Sequence, residues 1–345
     1  MSTIKKNGST VPVDVQKLVV ENDLGGRRPG PLLARLLIGL AITWSLFQLW
    51  IASPLPYSTG VFVFNDTESR SIHLGFALLL AYLSYPAFKR SPRNVIPLSD
   101  WLLAGAATFC GLYLFIFYRE LATRPGQPIL IDMVAGMVGI GLLLEATRRV
   151  LGLPMVIVAL VFLGYTFGGP YMPDMIAHRG FSISRAMSHQ WLTTEGVFGV
   201  ALGVSSGFIF LFVLFGSLLD KAGAGNYFIK SAFALLGHLR GGPAKAAVLS
   251  SAATGIISGS SIANVVTTGT FTIPLMKRVG YRPDQAGAVE VSSSVNGQLM
   301  PPVMGAAAFL MVEYVGIPYI EVMNHAFLPA VISYIALLYI VHLEA

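Results

Sequence analysis

From Lys245 to Pro302 the chain reads KAAVLSSAATGIISGSSIANVVTTGTFTIPLMKRVGYRPDQAGAVEVSSSVNGQLMPP. This stretch is too apolar for a surface loop and too interrupted for one ordinary membrane helix. It follows Gly241-Gly242-Pro243 and climbs through Ala244–Ile257, a run of apolar and small residues. Ser258-Gly259-Ser260-Ser261 comes next, four residues that favour a turn over helix continuation. A second apolar run, Ile262–Met276, ends at Lys277-Arg278. Each arm has about fourteen residues, ~21 Å at the helical rise, short of a ~30 Å hydrocarbon core.

Charge decides how the two arms are read. Arg240 and Lys245 flank one end; Lys277, Arg278 and Arg282 flank the other, with Asp284 nearby to offset them. Lys/Arg excess marks cytoplasmic loops, so both ends are expected on the cytoplasmic face. A segment that enters and leaves on one face is a re-entrant hairpin, here spanning 244–277 with Ser258–Ser261 at its tip inside the bilayer. Backbone at that depth is tolerated only where protein buries it or a cavity lies beside it. Tips of this kind are where membrane transporters place ions and substrates.

Composition agrees with a membrane protein. Of 345 residues, 54% are hydrophobic and 12% charged, and the net charge of +6 sits in short loops and the N-terminal tail. That charge reads as topology and leaflet attraction, with the lipid bilayer as partner. No basic face on a soluble domain points to nucleic acid. Metal-ligand spacings, a P-loop and a Ser-His-Asp order are absent, so neither an enzyme nor a resident cofactor is expected. Cys110, the one cysteine, lies in an apolar run and reads as a packed small residue. The first apolar run starts after about thirty polar residues and is too long for a cleaved leader.

In order, residues 1–30 read as a polar cytoplasmic tail. Leu32–Ser53 spans, with Arg35 able to snorkel and Trp50 suited to the far interface. Ser71–Phe88 returns to Lys89, Arg90 and Arg93; Trp101–Tyr118 goes out; Pro128–Ala146 comes back to Glu145-Ala146-Thr147-Arg148-Arg149, expected as an inner-face ion-pair cluster. Gly152–Gly169 is a fifth span. Pro170–Glu195, with His178, Arg179, Arg185, His189 and Trp191, is too polar to cross and is expected as an interfacial or periplasmic amphipathic stretch. Gly196–Leu219 is the sixth span, and Gly223–Leu239 a helix lying in the cytoplasmic interface. After the hairpin, residues 284–315 form a broken helix: Asp284–Leu299, an interruption at Asn296-Gly297-Gln298 and Pro301-Pro302, then Val303–Val315. Proline lacks an amide donor and clashes with the preceding turn, so the helix must break there. Phe327–His342 is the last span.

These residues carry a resemblance. Leu214-Phe215-Gly216-Ser217-Leu218-Leu219, Gly241-Gly242-Pro243-Ala244-Lys245 and Ile257-Ser258-Gly259-Ser260-Ser261-Ile262-Ala263-Asn264 resemble the large permease subunit of the TRAP (tripartite ATP-independent periplasmic) transporters. Ile273–Tyr281 and Met300-Pro301-Pro302-Val303-Met304-Gly305 agree in order and spacing. The four spans over 31–150 look like the small permease subunit, and Glu145-Ala-Thr-Arg-Arg is similar to the subclass that fuses both subunits. The resemblance implies an all-α polytopic membrane protein: a four-helix scaffold, then, over 151–345, the first inverted repeat of an elevator-type transporter. It implies import of a small carboxylate handed over by a periplasmic binding protein and driven by a cation gradient, sodium in most of the family. The expected location is a bacterial-type inner membrane, with a cytoplasmic N-terminus. Two departures stand out. The second repeat of the family is missing here, to be supplied elsewhere in the gene or by another chain. Where the family has a Ser-Thr-Gly-Gly-like run before Gln298, this chain has Ser294-Val295-Asn296-Gly297.

Sodium favours oxygen ligands, which unwound carbonyls and hydroxyls supply. The expected cation site combines Ser258, Gly259, Ser260 and Ser261 of the tip with Asn296, Gly297 and Pro301 of the break, Pro301 through its carbonyl. Asn264 and Ser261 are expected to bind substrate, its carboxylate favoured by the N-terminus of the second arm. The same small residues also suit plain helix packing. Glu290 and Glu313 are intramembrane carboxylates, Glu290 with Arg282 as a candidate partner. A rival reading is a membrane scaffold or assembly subunit without a translocation path of its own.

Overall fold

The computed structural model describes residues 25–88 and 90–345. The tail expected over residues 1–30 lies, up to residue 24, outside the described residues, as does Lys89. All regular structure among the described residues is helical. Among the described residues, five helices are long and apolar enough to cross a membrane: Pro31–Ala52, Leu130–Leu151, Leu153–Tyr171, Val200–Lys221 and Tyr319–Glu344. The chain is therefore an all-α polytopic membrane protein. Its described residues divide into two compact units, one of residues 25–214 with 309–316, the other of 215–308 with 317–345.

The first unit holds α1 (Pro31–Ala52), α2 (Asp66–Ser84), α3 (Leu98–Gly111), α4 (Leu130–Leu151), α5 (Leu153–Gly168) and α6 (Ile183–Trp191). It also takes the start of α7 (Val200–Lys221), which is widened by a π-type turn over Ser205–Ile209. Asn65 caps α2 through the Glu68 amide, and the Glu68 carboxylate returns to the Asn65 amide. Leu74, Leu78, Tyr82, Ala104, Ala107, Cys110 and Leu114 form the core, so Cys110 is indeed a packed small residue.

Two expectations in this unit change. Trp101–Tyr118 is not one continuous helix: α3 stops at Gly111, and short helical turns follow at Tyr113–Ile116 and Tyr118–Thr123. The buried Ser71 hydroxyl donates to Gly111 O at 2.7 Å and accepts from Phe115 N at 3.2 Å. That carbonyl and that amide would otherwise bond each other; the amide also turns to Leu112 O at 3.0 Å, and a side chain inserted into the ladder is a recognised way to interrupt it. The stretch over 170–195 is not wholly a surface element either. Trp191, at the end of α6, is fully buried and its Nε1 donates to Cys110 O at 3.1 Å. Gly139 of α4 makes room for it: a Cβ there would lie 2.3 Å from the indole ring.

The expected ion-pair cluster at the end of α4 is present and larger than expected. Arg148 and Arg149 both pair with Glu145, at 2.7 and 2.8 Å, and Arg149 also reaches Asp100 at 3.0 Å. Arg27 pairs with the same Asp100. Arg149 and Asp100 are almost fully buried, so the network brings α4 and the start of α3 together with neither charge left alone.

The second unit begins within α7 at Phe215 and continues through α8 (Ala224–Leu236), α9 (Gly242–Gly255), α10 (Ser261–Arg278) and α11 (Pro283–Asn296). Residues 306–308 open α12 (Ala306–Val315), whose remainder belongs to the first unit, and α13 (Tyr319–Glu344) closes the chain. Ala244, Ala247, Val248, Ala252, Met276, Ala286, Val289, Tyr334 and Val341 form its core. Small residues on all sides of α9 let α8, α10, α11 and α13 all pack against it.

Candidate functional site

The site grows from α9. Gly241 enters it in the left-handed conformation, φ +67°, which glycine adopts without strain, and Pro243 occupies its first turn. The helix ends at Gly255, because Ile257 and Ser258 both turn their amides back to Thr254 O. Ser260 then starts α10 as its N-cap, its hydroxyl accepting from Ala263 N at 3.3 Å. The arms α9 and α10 pack against each other with residues 256–260 as the connection. They differ only slightly from the expected arms Ala244–Ile257 and Ile262–Met276.

Opposite the tip, α11 stops at Asn296. A 3-10 turn, Gly297–Leu299, follows; Pro301–Pro302 is cis, and α12 starts only at Ala306. The loop is held locally: Gly305 N donates to Gln298 O at 2.7 Å, and Tyr319 OH donates to Pro302 O at 2.6 Å and Val303 O at 3.0 Å.

Tip and break meet. A Cβ at Gly259 would lie 1.7 Å from Met304 O, so no other residue fits there without moving the backbone. A Cβ at Gly255 would fall 2.8 Å from the Gly297 Cα, so the two chains approach at glycine on both sides. Gln298 Nε2 donates to Ser261 Oγ at 2.8 Å. Asn264, fully buried, donates from Nδ2 to Ser251 O at 2.9 Å and lies against Gly297. Its Oδ1 is buried with no hydrogen-bond partner among the described residues. A buried amide oxygen left unpaired costs about 1–3 kcal/mol, so this atom suits a bound cation or a donor group.

Of the residues expected in the site, Gly259, Ser261, Asn264 and Gly297 are thus brought together. The Ser260 hydroxyl is taken up by capping α10. Ser258, Asn296 and Pro301 lie on the two facing segments, but among the described residues no hydrogen bond joins them across the gap. The break carbonyls held by Tyr319 are those of Pro302 and Val303. Glu290 differs from its candidate pairing: Arg282 pairs with Asp284, while Glu290 is fully buried among hydroxyls of Thr268, Thr272 and Ser294. Ser294 Oγ in turn lies 3.1 Å from Ser251 Oγ, so this polar cluster adjoins Asn264. A signal for it was present in the sequence: Asn264, Thr268 and Thr272, and Glu290 and Ser294, recur at a spacing of four, which places each set on one helix face.

Comparison with known proteins bears on the same region. The sequence model of the family described as "Tripartite ATP-independent periplasmic transporter, DctM component" matches residues 138–345. The chain is 39% identical over 92 residues to the C4-dicarboxylate TRAP transporter large permease protein DctM of Rhodobacter capsulatus, covering 26% of this chain and 21% of that one. It is 32% identical over 95 residues to the ectoine TRAP transporter large permease protein TeaC of Halomonas elongata, covering 28% and 22%. An uncharacterized protein, YgiK of Salmonella typhimurium, is 34% identical over 91 residues, covering 26% and 21%. The matched stretch spans about a fifth of the length of these relatives. No solved structure matches.

Proposed function

Because this chain belongs to the family of the tripartite ATP-independent periplasmic transporters, DctM component, we propose that it forms part of a secondary-transport permease in a bacterial-type inner membrane. The permease takes a small carboxylate from a periplasmic binding protein and moves it inward with a cation, sodium. C4-dicarboxylate and ectoine stand in the names of two relatives, and the carboxylate class is the reading we extend to this chain. Residues 31–150 serve as the fused small-subunit part and 151–345 as the first repeat of the large subunit. The N-terminus is cytoplasmic, and the block carrying the hairpin makes the elevator movement.

The observation that carries this reading is the meeting of the hairpin tip with the helix break. Two interrupted helices face each other there, Gly259 lies under the Met304 carbonyl, and the buried Asn264 Oδ1 has no hydrogen-bond partner among the described residues. Unwound backbone and half-helix ends at one place are how transporters hold ions without a buried countercharge. Sodium is placed between Ser258, Gly259, Ser260 and Ser261 on one side and Asn296, Gly297 and the Pro301 carbonyl on the other. Substrate is placed at Asn264 and Ser261.

Uptake into proteoliposomes by the complete permease with its binding protein tests this. The expected result is accumulation that requires an inward sodium gradient. Uptake that persists after every cation gradient is dissipated contradicts it.

A further inference from the structure

We propose that Glu290 is a proton-binding site of this permease, its carboxyl carrying one proton while α10 and α11 are closed on each other as they are here. The inference rests on the transport reading above and extends it to a second cation, held apart from the tip.

Glu290 is 0% exposed, and the backbone of α10 presses on its stem: a Cβ at Gly269 would lie 3.0 Å from Glu290 Cγ. Among the described residues its oxygens face hydroxyls alone. Thr268 Oγ1 lies at Oε1, Thr272 Oγ1 is 2.5 Å from Oε2, and Ser294 Oγ is 3.3 Å from Oε1. No ion pair reaches Glu290 among the described residues. On α9, Lys245 Nζ is bonded to His342 Nδ1 of α13 at 2.9 Å. Tyr334 of α13 donates to Ser293 O at 2.9 Å. Lys277 and Arg278 of α10, and Glu321, His325, Tyr339 and Glu344 of α13, are exposed. Asp284 of α11 is exposed and paired with Arg282. An ionised carboxylate in this place would be a buried charge with no countercharge, which costs several kcal/mol in a low-dielectric interior.

Counting protons leads to the same state. A hydroxyl donates one proton. Thr268 faces both Asn264 O and Glu290 Oε1, and Thr272 faces both Thr268 O and Glu290 Oε2. With Ser294 and Ser251 added, four hydroxyl protons serve six contacts. A proton on Glu290 eases that deficit where it matters. The acid O–H donates to one threonine oxygen, and that threonine keeps its own proton for the helix carbonyl.

The step is simple in its balance. The carboxylate takes a proton from water on one side of the membrane, forming one O–H bond, and later returns it to water on the other. Through Thr268, whose hydroxyl also reaches Asn264 O, and through Ser294 and Ser251, the charge state of Glu290 bears on the Asn264 amide at the tip. Loss of the proton leaves a charge that the closed packing cannot hold, so ionisation favours separation of the two helices. An ionisable side chain within a span, facing the bundle interior, is the usual form of a proton relay.

Difference infrared spectroscopy on the complete permease in lipid nanodiscs, without substrate, is the direct test. At neutral pH the wild type is expected to show a protonated-carboxyl C=O band that shifts on deuteration and is missing from Glu290→Gln. Thr272→Val, which keeps the side-chain volume, is expected to move that band because it removes a hydrogen-bond partner. A carboxylate signal at neutral pH that responds to sodium, with no acid band assignable to Glu290, would overturn the proposal in favour of a metal-cation site. The second measurement is lumen pH during uptake in proteoliposomes: acidification accompanies uptake by the wild type and is lost in Glu290→Gln. Uptake by the wild type with no proton movement overturns the coupling role. Failure of all uptake refutes the transport reading instead, and the infrared result stands by itself.

Discussion

At Gly259 a hydrogen stands where any other residue would place a carbon 1.7 Å from Met304 O. Gly259→Ala therefore forces the hairpin and the break apart, and it is expected to lower stability by ~1–3 kcal/mol and abolish uptake. Gly141→Ala, where a Cβ meets nothing within 4 Å, is the control expected to leave both unchanged; thermal unfolding and uptake of the two variants side by side decide it. Asn264 has one amide hydrogen-bonding group satisfied and one bare. Asn264→Ala is expected to weaken binding of radiolabelled sodium or of substrate by tenfold or more, the equivalent of about 1.4 kcal/mol for a lost polar contact. Unchanged affinity for both would remove this residue from the site. The position was readable in advance as a polar residue one turn past the tip. The bare oxygen was not, because it depends on which carbonyl the nitrogen finds.

At the scale of elements, helix interruptions here have two different origins. The break after Asn296 is local, since Pro301 and Pro302 lack amide donors and cannot continue a helix. The interruption after Gly111 is not local. It comes from Ser71, forty residues away in sequence, whose hydroxyl takes both Gly111 O and Phe115 N. Ser71→Ala is expected to cost ~1–3 kcal/mol by leaving Gly111 O unpaired, or to let the helix run on with Phe115 N bonded to Gly111 O. Thermal unfolding reads the first outcome, and hydrogen exchange at the Phe115 amide reads the second. A variant with neither change would show that the hydroxyl is incidental. Trp191 belongs to the same class: a tryptophan in a polar stretch reads as an interfacial residue until Gly139 and Cys110 O are seen to hold it.

For the molecule as a whole, the re-entrant reading fixes which face of the bilayer both ends of the hairpin must share. If the hairpin re-enters, Arg240 and Lys277, both exposed, lie on one face of the membrane. Arg240→Cys and Lys277→Cys are expected to react with an impermeant maleimide from the cytoplasmic side alone. Cys110 is buried, which keeps the background low. Labelling of the two from opposite sides would make α9 and α10 separate crossings and remove the mid-bilayer tip on which the proposed ion site depends.

Hydrophobic content, the succession of apolar runs, the paired basic flanks and the places where Gly, Ser and Pro stop a helix were all determined by the sequence, for each is a property of a few neighbouring residues. So was the family, because its motifs are short and lie in order along the chain. The tertiary structure alone decided that Glu290 of α11 goes to Thr268 and Thr272 of α10. It alone decided that Trp191 is core and that Tyr319 caps the break. The reason is common to all of these. A buried polar group is stabilised by whatever partner the packing of distant helices brings within about 3 Å, and helical periodicity names the face of each helix without naming the face it meets.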